Sequence, residues 1–183
     1  VSNALTILLA LDEKLTSTIE LTLYGRAALQ LGYDPPLEEH AQSRDVDAVF
    51  WLGQAEALKE GTNFWESIEA VNRELGERGL YISHFFTEDQ VILQPDWKVN
   101  RIPLIGPWRR LDLFRLGDLD LLLTKLMRDD PLDRKDALFI IERASLALDE
   151  IEAAMNRARV PQIPEIQEQF EIAGRKVLAL VQN

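Results

Sequence analysis

The sequence predicts a mixed α/β (α+β) protein whose C-terminal part is helical, and three patterns carry that prediction. Ile19, Leu21 and Leu23 alternate with Glu20, Thr22 and Tyr24, the period of two expected of a strand with one buried face. A second alternating run, Asp45 to Leu52, places Val46, Ala48, Phe50 and Leu52 on one side. Apolar residues three and four apart, such as Phe64, Ile68, Val71 and Leu75, mark amphipathic helices instead.

At 183 residues the chain is long enough to bury a real core. Its 46% hydrophobic and 28% charged residues are those of a globular chain, so disorder is not expected. The absence of cysteine excludes disulfides, a thiolate nucleophile and cysteine–zinc sites. No apolar run reaches the roughly 18 residues of a membrane span. Leu5 to Leu11 is shorter still and has no basic flank, so neither a signal peptide nor a membrane partner is expected. A cytoplasmic location follows as the expectation.

A formal charge of −11 argues against a general nucleic-acid surface, which needs clustered Lys and Arg. One local cluster stands out: Lys98, Arg101, Arg109, Arg110 and Arg115. It reads equally well as a basic face for a tRNA end, a nucleotide or an acidic partner, and as ordinary solvated strand and loop positions.

In chain order, Leu5 to Leu15 predicts a first helix, followed by the strand Ile19 to Tyr24 and a turn at Gly25. A small helix follows, and Asp34-Pro35-Pro36 ends it before a polar loop. Asp45 to Leu52 is the second strand, closed by Gly53. Glu56 to Arg78 predicts one or two helices interrupted near Gly61, with Gly76 and Gly79 as C-terminal stops. Tyr81 to Phe86 is a third strand and Val91 to Leu93 a short fourth. Leu111 to Leu116 is a last strand, after an irregular stretch between Trp97 and Trp108, both expected as core or lid residues. Asp118 is expected to cap a helix that is apolar almost all round and runs to Met127, with Lys125 among its leucines. From Asp136 onward the pattern is helical, ending in a helix from Ile166 to Val181.

Chemistry concentrates at Asp45 and Asp47. Separated by one residue on a strand, they share a face, and two like charges so close repel unless a cation lies between them. A divalent metal holding nucleotide phosphates is the natural candidate. Lys125, amid apolar residues, needs an anionic partner, for which Asp133 and Asp136 are in reach. For Lys125 a purely structural ion pair is the competing reading.

The glycine turn after a strand, then a helix, then D-x-D on the next strand resembles the nucleotidyltransferase superfamily, above all its minimal, abortive-infection-type bacterial toxin members. D-L-D-L-L-L-T-K-L-M-R followed by D-R-K-D resembles the second signature of the same family. The resemblance spans about Ile19 to Ile141. It implies a small mixed sheet flanked by helices in a domain of residues 1–141, with a helical extension over 142–183. It also implies Mg²⁺ on Asp45 and Asp47, an NTP substrate, and a phosphate-holding turn at Gly25 and Arg26. Lys125 would contact phosphate, and Asp133 or Asp136 would complete the catalytic set. An RNA (possible tRNA) or protein acceptor and an antitoxin partner would follow. The alternative is a catalytically inactive descendant that binds a nucleotide or a partner. Arg26 departs from the family's second small turn residue. So does His84, which stands where a third carboxylate would be sought, with Glu88 and Asp89 just beyond; a polar group satisfied within the sheet is its commoner role.

Overall fold

The computed structural model describes residues 2–182, which form two compact units, each built around its own layer. The first comprises the chain up to Thr87 together with Arg101–Arg115. It contains helices α1 (Asn3–Lys14), α2 (Gly25–Gly32), α3 (Glu38–Ala41), α4 (Gln54–Lys59) and α5 (Phe64–Leu75). Its strands are β1 (Ile19–Tyr24), β2 (Asp45–Phe50), β3 (Tyr81–Thr87), β4 (Ile102–Pro103) and β5 (Leu111–Arg115). They form one mixed sheet in the order β3-β2-β1-β5-β4, with β1 central. β1 runs antiparallel to β2 and parallel to β5.

Register decides which face each side chain takes. Leu23 pairs with Ala48 and Arg115, and Ile19 with Leu111, so one face collects Ile19, Leu21, Leu23, Val46, Ala48, Leu111 and Leu113, all buried. Helices α1 and α2 pack against the β1–β2 part of the sheet and α5 against β3. Phe50 stacks on Phe85 at 5.3 Å and meets Phe64 and Trp65 edge-on at 6.2 Å, closing the core at that end. The opposite face carries Glu20, Thr22, Tyr24, Asp45 and Asp47, which are more polar.

A carboxylate that the apolar periodicity hides ties this unit together. Asp12, on α1 and 4% exposed, accepts the backbone amides of Arg109 (2.9 Å), Arg110 (2.8 Å) and Leu111 (2.8 Å). Three N–H donors at the entry of β5 are thereby satisfied by one side chain.

The second unit comprises Glu88–Asn100 and the chain from Leu116 onward. Its helices are α6 (Asp118–Thr124), α7 (Pro131–Ala144), α8 (Leu148–Arg157) and α9 (Pro164–Val181). Helix α6 packs on α7 and α8, and both of these pack on α9. Asp130 caps α7 by accepting from Leu132 and Asp133 amides, and Pro131 occupies the first turn, where its missing N–H costs nothing. Asp120 is fully buried and accepts from the Gln94 amide at 2.7 Å, fastening the irregular segment to α6.

The expected mixed sheet flanked by helices and the helical C-terminal region are present. Several boundaries differ. Val91–Leu93 is buried but joins no sheet; Leu93 makes an isolated bridge with Arg159. A three-residue apolar run looks the same as a strand or as a buried loop, and the fourth strand is instead Ile102–Pro103. Gly117, not Asp118, is the N-cap of α6, and that helix stops at Thr124 with Lys125 as its C-cap. Helix α7 begins at Pro131, before Asp136. Leu52 is 63% exposed because β2 ends at Phe50. The domain boundary expected at 141 falls inside α7. Among the described residues no helix is long and apolar enough to cross a membrane.

Two predictions follow from these buried acids. Asp12→Ala leaves three amides without their acceptor and should cost about 3–5 kcal/mol in urea denaturation, with the loss traceable to the first unit. Burial raises the Asp120 carboxyl from 3.8 to about 6, its bond to Gln94 opposing the shift. The folded protein thus holds this proton more tightly than the unfolded chain. The stability it contributes is full below about pH 4 and is lost as the pH rises to about 6. Asp120→Asn does not lose it, so its stability relative to wild type should rise by up to about 3 kcal/mol between about pH 4 and pH 7.

Candidate functional site

The site begins where β1 ends. Tyr24 pairs with Asp47 across the antiparallel ladder, and the next residue, Gly25, opens α2 with φ of +68°. A Cβ at Gly25 would stand 2.9 Å from Asp47 Oδ2, so the turn needs glycine both for its dihedral and for the space. Tyr24 gives α2 no side-chain cap, and the amides of a first helical turn have no partner within their own helix. A carboxylate and the start of a helix therefore lie side by side.

Across the sheet, β2 pairs in parallel with β3, and the register slips between Val46 and Asp47. Val46 faces Ile82, but Asp47 faces His84, with Ser83 as the extra residue. Such a bulge re-aims a side chain. Here it sets His84 Nδ1 2.9 Å from Asp47 Oδ1 and 3.2 Å from Ser83 Oγ. On the same face, Asp45 Oδ1 accepts from the Ser43 hydroxyl at 2.9 Å. Asp45, Asp47 and His84 each offer a ligand atom, all within 4.8 Å of one another.

Aromatic rings border this group. His84 lies parallel to Phe86 at 6.0 Å, and Tyr24 meets Phe86 edge-on at 6.2 Å. Burial, then the charges of Asp47 and Asp45, push the Tyr24 phenol far above its ordinary range. Tyr24 is thus a fixed hydroxyl and not a base.

Lys125, Asp133 and Asp136 come together in the second unit. Lys125 Nζ donates to Asp136 Oδ2 at 2.8 Å and Asp133 Oδ1 at 3.3 Å, and Arg128 also pairs with Asp133. Asp136 has no exposed area and Lys125 has 7%. The α6 C-terminus and the first turns of α7 bring the three into contact. The arrangement meets the full electrostatic demand of a buried lysine by itself.

Arg26 follows Gly25 into α2 and lies 4.0 Å from Glu39. Glu88 accepts from Trp97 Nε1 at 2.9 Å and pairs with Arg159, and Trp97 is a core residue of the second unit, as expected. The basic run divides. Arg101 bonds Glu20 at 2.7 Å and Thr22 at 3.0 Å, and Arg115 is buried over the Tyr33 ring. Ser43 lies in the loop before β2 and was missed in the sequence, and the bulge that selects His84 leaves no pattern there.

Comparison of the chain with family models, with curated proteins and with solved structures found no match in any of the three. The nucleotidyltransferase resemblance therefore rests on the motif residues themselves.

Lys125→Met would leave Asp136 buried without its cation. Urea denaturation should show a loss of about 3–5 kcal/mol, most of it recovered by the double change Lys125→Met with Asp136→Leu. A lysine needed only for phosphate would show neither effect.

Proposed function

We propose that this protein is a nucleotidyltransferase-like enzyme that moves a nucleotidyl group from an NTP to a hydroxyl of an RNA, such as a tRNA, or of a protein. One observation carries the reading: Gly25, in a left-handed turn, is pressed against Asp47 while Asp45 shares its face. A turn without a side chain next to paired carboxylates suits phosphate on the backbone and a cation on the acids.

In this reading Asp45 and Asp47 hold the cation, and their donor chemistry fits a divalent ion. A bound Mg²⁺ would neutralise phosphate charge and favour in-line displacement. The first-turn amides of α2 orient the phosphate, with Arg26 as the cationic side chain next in the chain. Ser43 fixes the rotamer of Asp45 through its hydroxyl. Tyr24, held protonated, offers a hydroxyl to the bound nucleotide. By the same resemblance the protein is a candidate toxin of a toxin–antitoxin pair, with an antitoxin as its partner.

A second reading is favoured by Lys125. Two carboxylates already satisfy the lysine that the resemblance assigns to phosphate. A non-catalytic nucleotide- or partner-binding module would keep the turn and the acid pair and lose the transfer.

Thermal unfolding with and without Mg²⁺ and each NTP, on wild type and Asp47→Ala, tests both. A ligand at 100 times its Kd should add about 2.7 kcal/mol. The expected result is a metal-dependent rise with one NTP that Asp47→Ala abolishes. No rise with any combination would sink both nucleotide readings. A rise without transfer of label, from an NTP radiolabelled on its α-phosphate to RNA or protein, would select the binding module.

A further inference from the structure

We infer that His84 is the third protein ligand of the cation held by Asp45 and Asp47, and that it makes the site prefer a first-row transition ion such as Mn²⁺ over Mg²⁺. The inference rests on the proposed carboxylate site and adds to it the identity of the ion.

Three observations carry it. The first is distance. Two donors about 2.1 Å from one ion, at right angles, stand about 3 Å apart. His84 Nδ1 and Asp47 Oδ1 stand 2.9 Å apart, and the Asp45 carboxylate completes a set within 4.8 Å.

The second is the bulge. Had the β2–β3 ladder run on regularly past Val46 and Ile82, Ser83 would face Asp47. The extra residue puts the imidazole there instead. The resulting His–Asp contact is of little use to the fold, because the His84 side chain is 55% exposed and exposed ion pairs contribute little. Local disruption of the ladder thus places a borderline nitrogen donor where stability gains almost nothing.

The third is support behind the ligands. The Ser43 hydroxyl fixes Asp45, and the parallel Phe86 ring lies against His84, so both donors are oriented from behind.

A carboxylate accepts only, so in the ion-free pair Nδ1 carries the ring proton. With the ion bound, Nδ1 ligates through its lone pair and the proton sits on Nε2, a change of tautomer with no change in the charge of a neutral ring. Imidazole suits Mn²⁺ and later ions of the row. Mg²⁺ takes oxygen almost exclusively, so its affinity owes nothing to His84.

The test uses Mn²⁺ and Mg²⁺ as probes on wild type, His84→Ala and His84→Asp. Calorimetry gives the ratio of the two dissociation constants, and pulsed electron paramagnetic resonance of bound Mn²⁺ reports a directly coordinated nitrogen. Because His84 is exposed, both variants should fold, as circular dichroism will verify. Wild type should show the nitrogen coupling and bind Mn²⁺ at least about tenfold more tightly than Mg²⁺. Both variants should lose the coupling, and His84→Asp should bind Mg²⁺ at least as well as wild type while its Mn²⁺ advantage shrinks by about tenfold. Equal ratios in all three proteins, with no nitrogen coupling in wild type, would overturn the role of His84 and leave the carboxylate site standing. Failure of wild type to bind either ion would overturn the site itself.

Discussion

The antiparallel register of β1 and β2 is the constraint on which the proposed site depends. It sets Tyr24 against Asp47, and because β1 ends at Tyr24, the following Gly25 lands on the same carboxylate. A slip of one residue would turn Asp45 and Asp47 into the apolar face that α1 and α2 cover, and would expose Val46 and Ala48. Burial of Leu21, Leu23, Val46 and Ala48 therefore holds the acids outward as firmly as it holds the core together. The same register leaves the α2 helix start beside the acids. Geometry that looks designed for a ligand is enforced by the packing of residues that never touch one.

Much of this was legible in the sequence because it is periodic. Alternation from Ile19 to Tyr24 and from Asp45 to Phe50 shows both strands and the shared face of the two acids. Features that break periodicity were not legible. The bulge at Ser83 changes which residue of β3 meets Asp47, and no propensity or spacing announces it. Ile102–Pro103 is too short, and too rich in proline, to carry a strand pattern. Asp12 lies on a helix whose partners sit nearly a hundred residues further on, and one carboxylate in an apolar stripe does not reveal three amides waiting for it. The end of α6 at Thr124 was missed because apolar residues continue through Leu126 and Met127, and burial at a helix terminus looks like burial within one.

Asp45, Asp47 and Gly25 were read together and are together. Lys125, Asp133 and Asp136 were also read together, and they too are in contact, as an ion-pair group in which Arg128 joins. Contact between residues of a motif is what ancestry and structure both require, and so it cannot choose between a retained fold and a retained reaction. The distinguishing quantity is whether charge is left over once the fold has been satisfied.

On that measure the acids of this protein fall into two sorts. Asp12 is buried and receives three amides; Asp133 and Asp136 are buried and receive Lys125, with Arg128 added on Asp133. Asp120 is buried with amide donors, and burial outweighs them and the charge of Arg157, so its carboxyl is raised. For Asp12, Asp133 and Asp136 the compensation tracks the desolvation that burial imposes. Asp45 and Asp47 are only half-buried, and they are met by a hydroxyl and an imidazole. Two like charges on one strand face repel each other. In the proposed reading a cation supplied from solution would remove that repulsion. The imidazole, which can ligate an ion and carries no obligatory positive charge, would suit that proposed role better than the lysine or arginine that pair with Asp133 and Asp136.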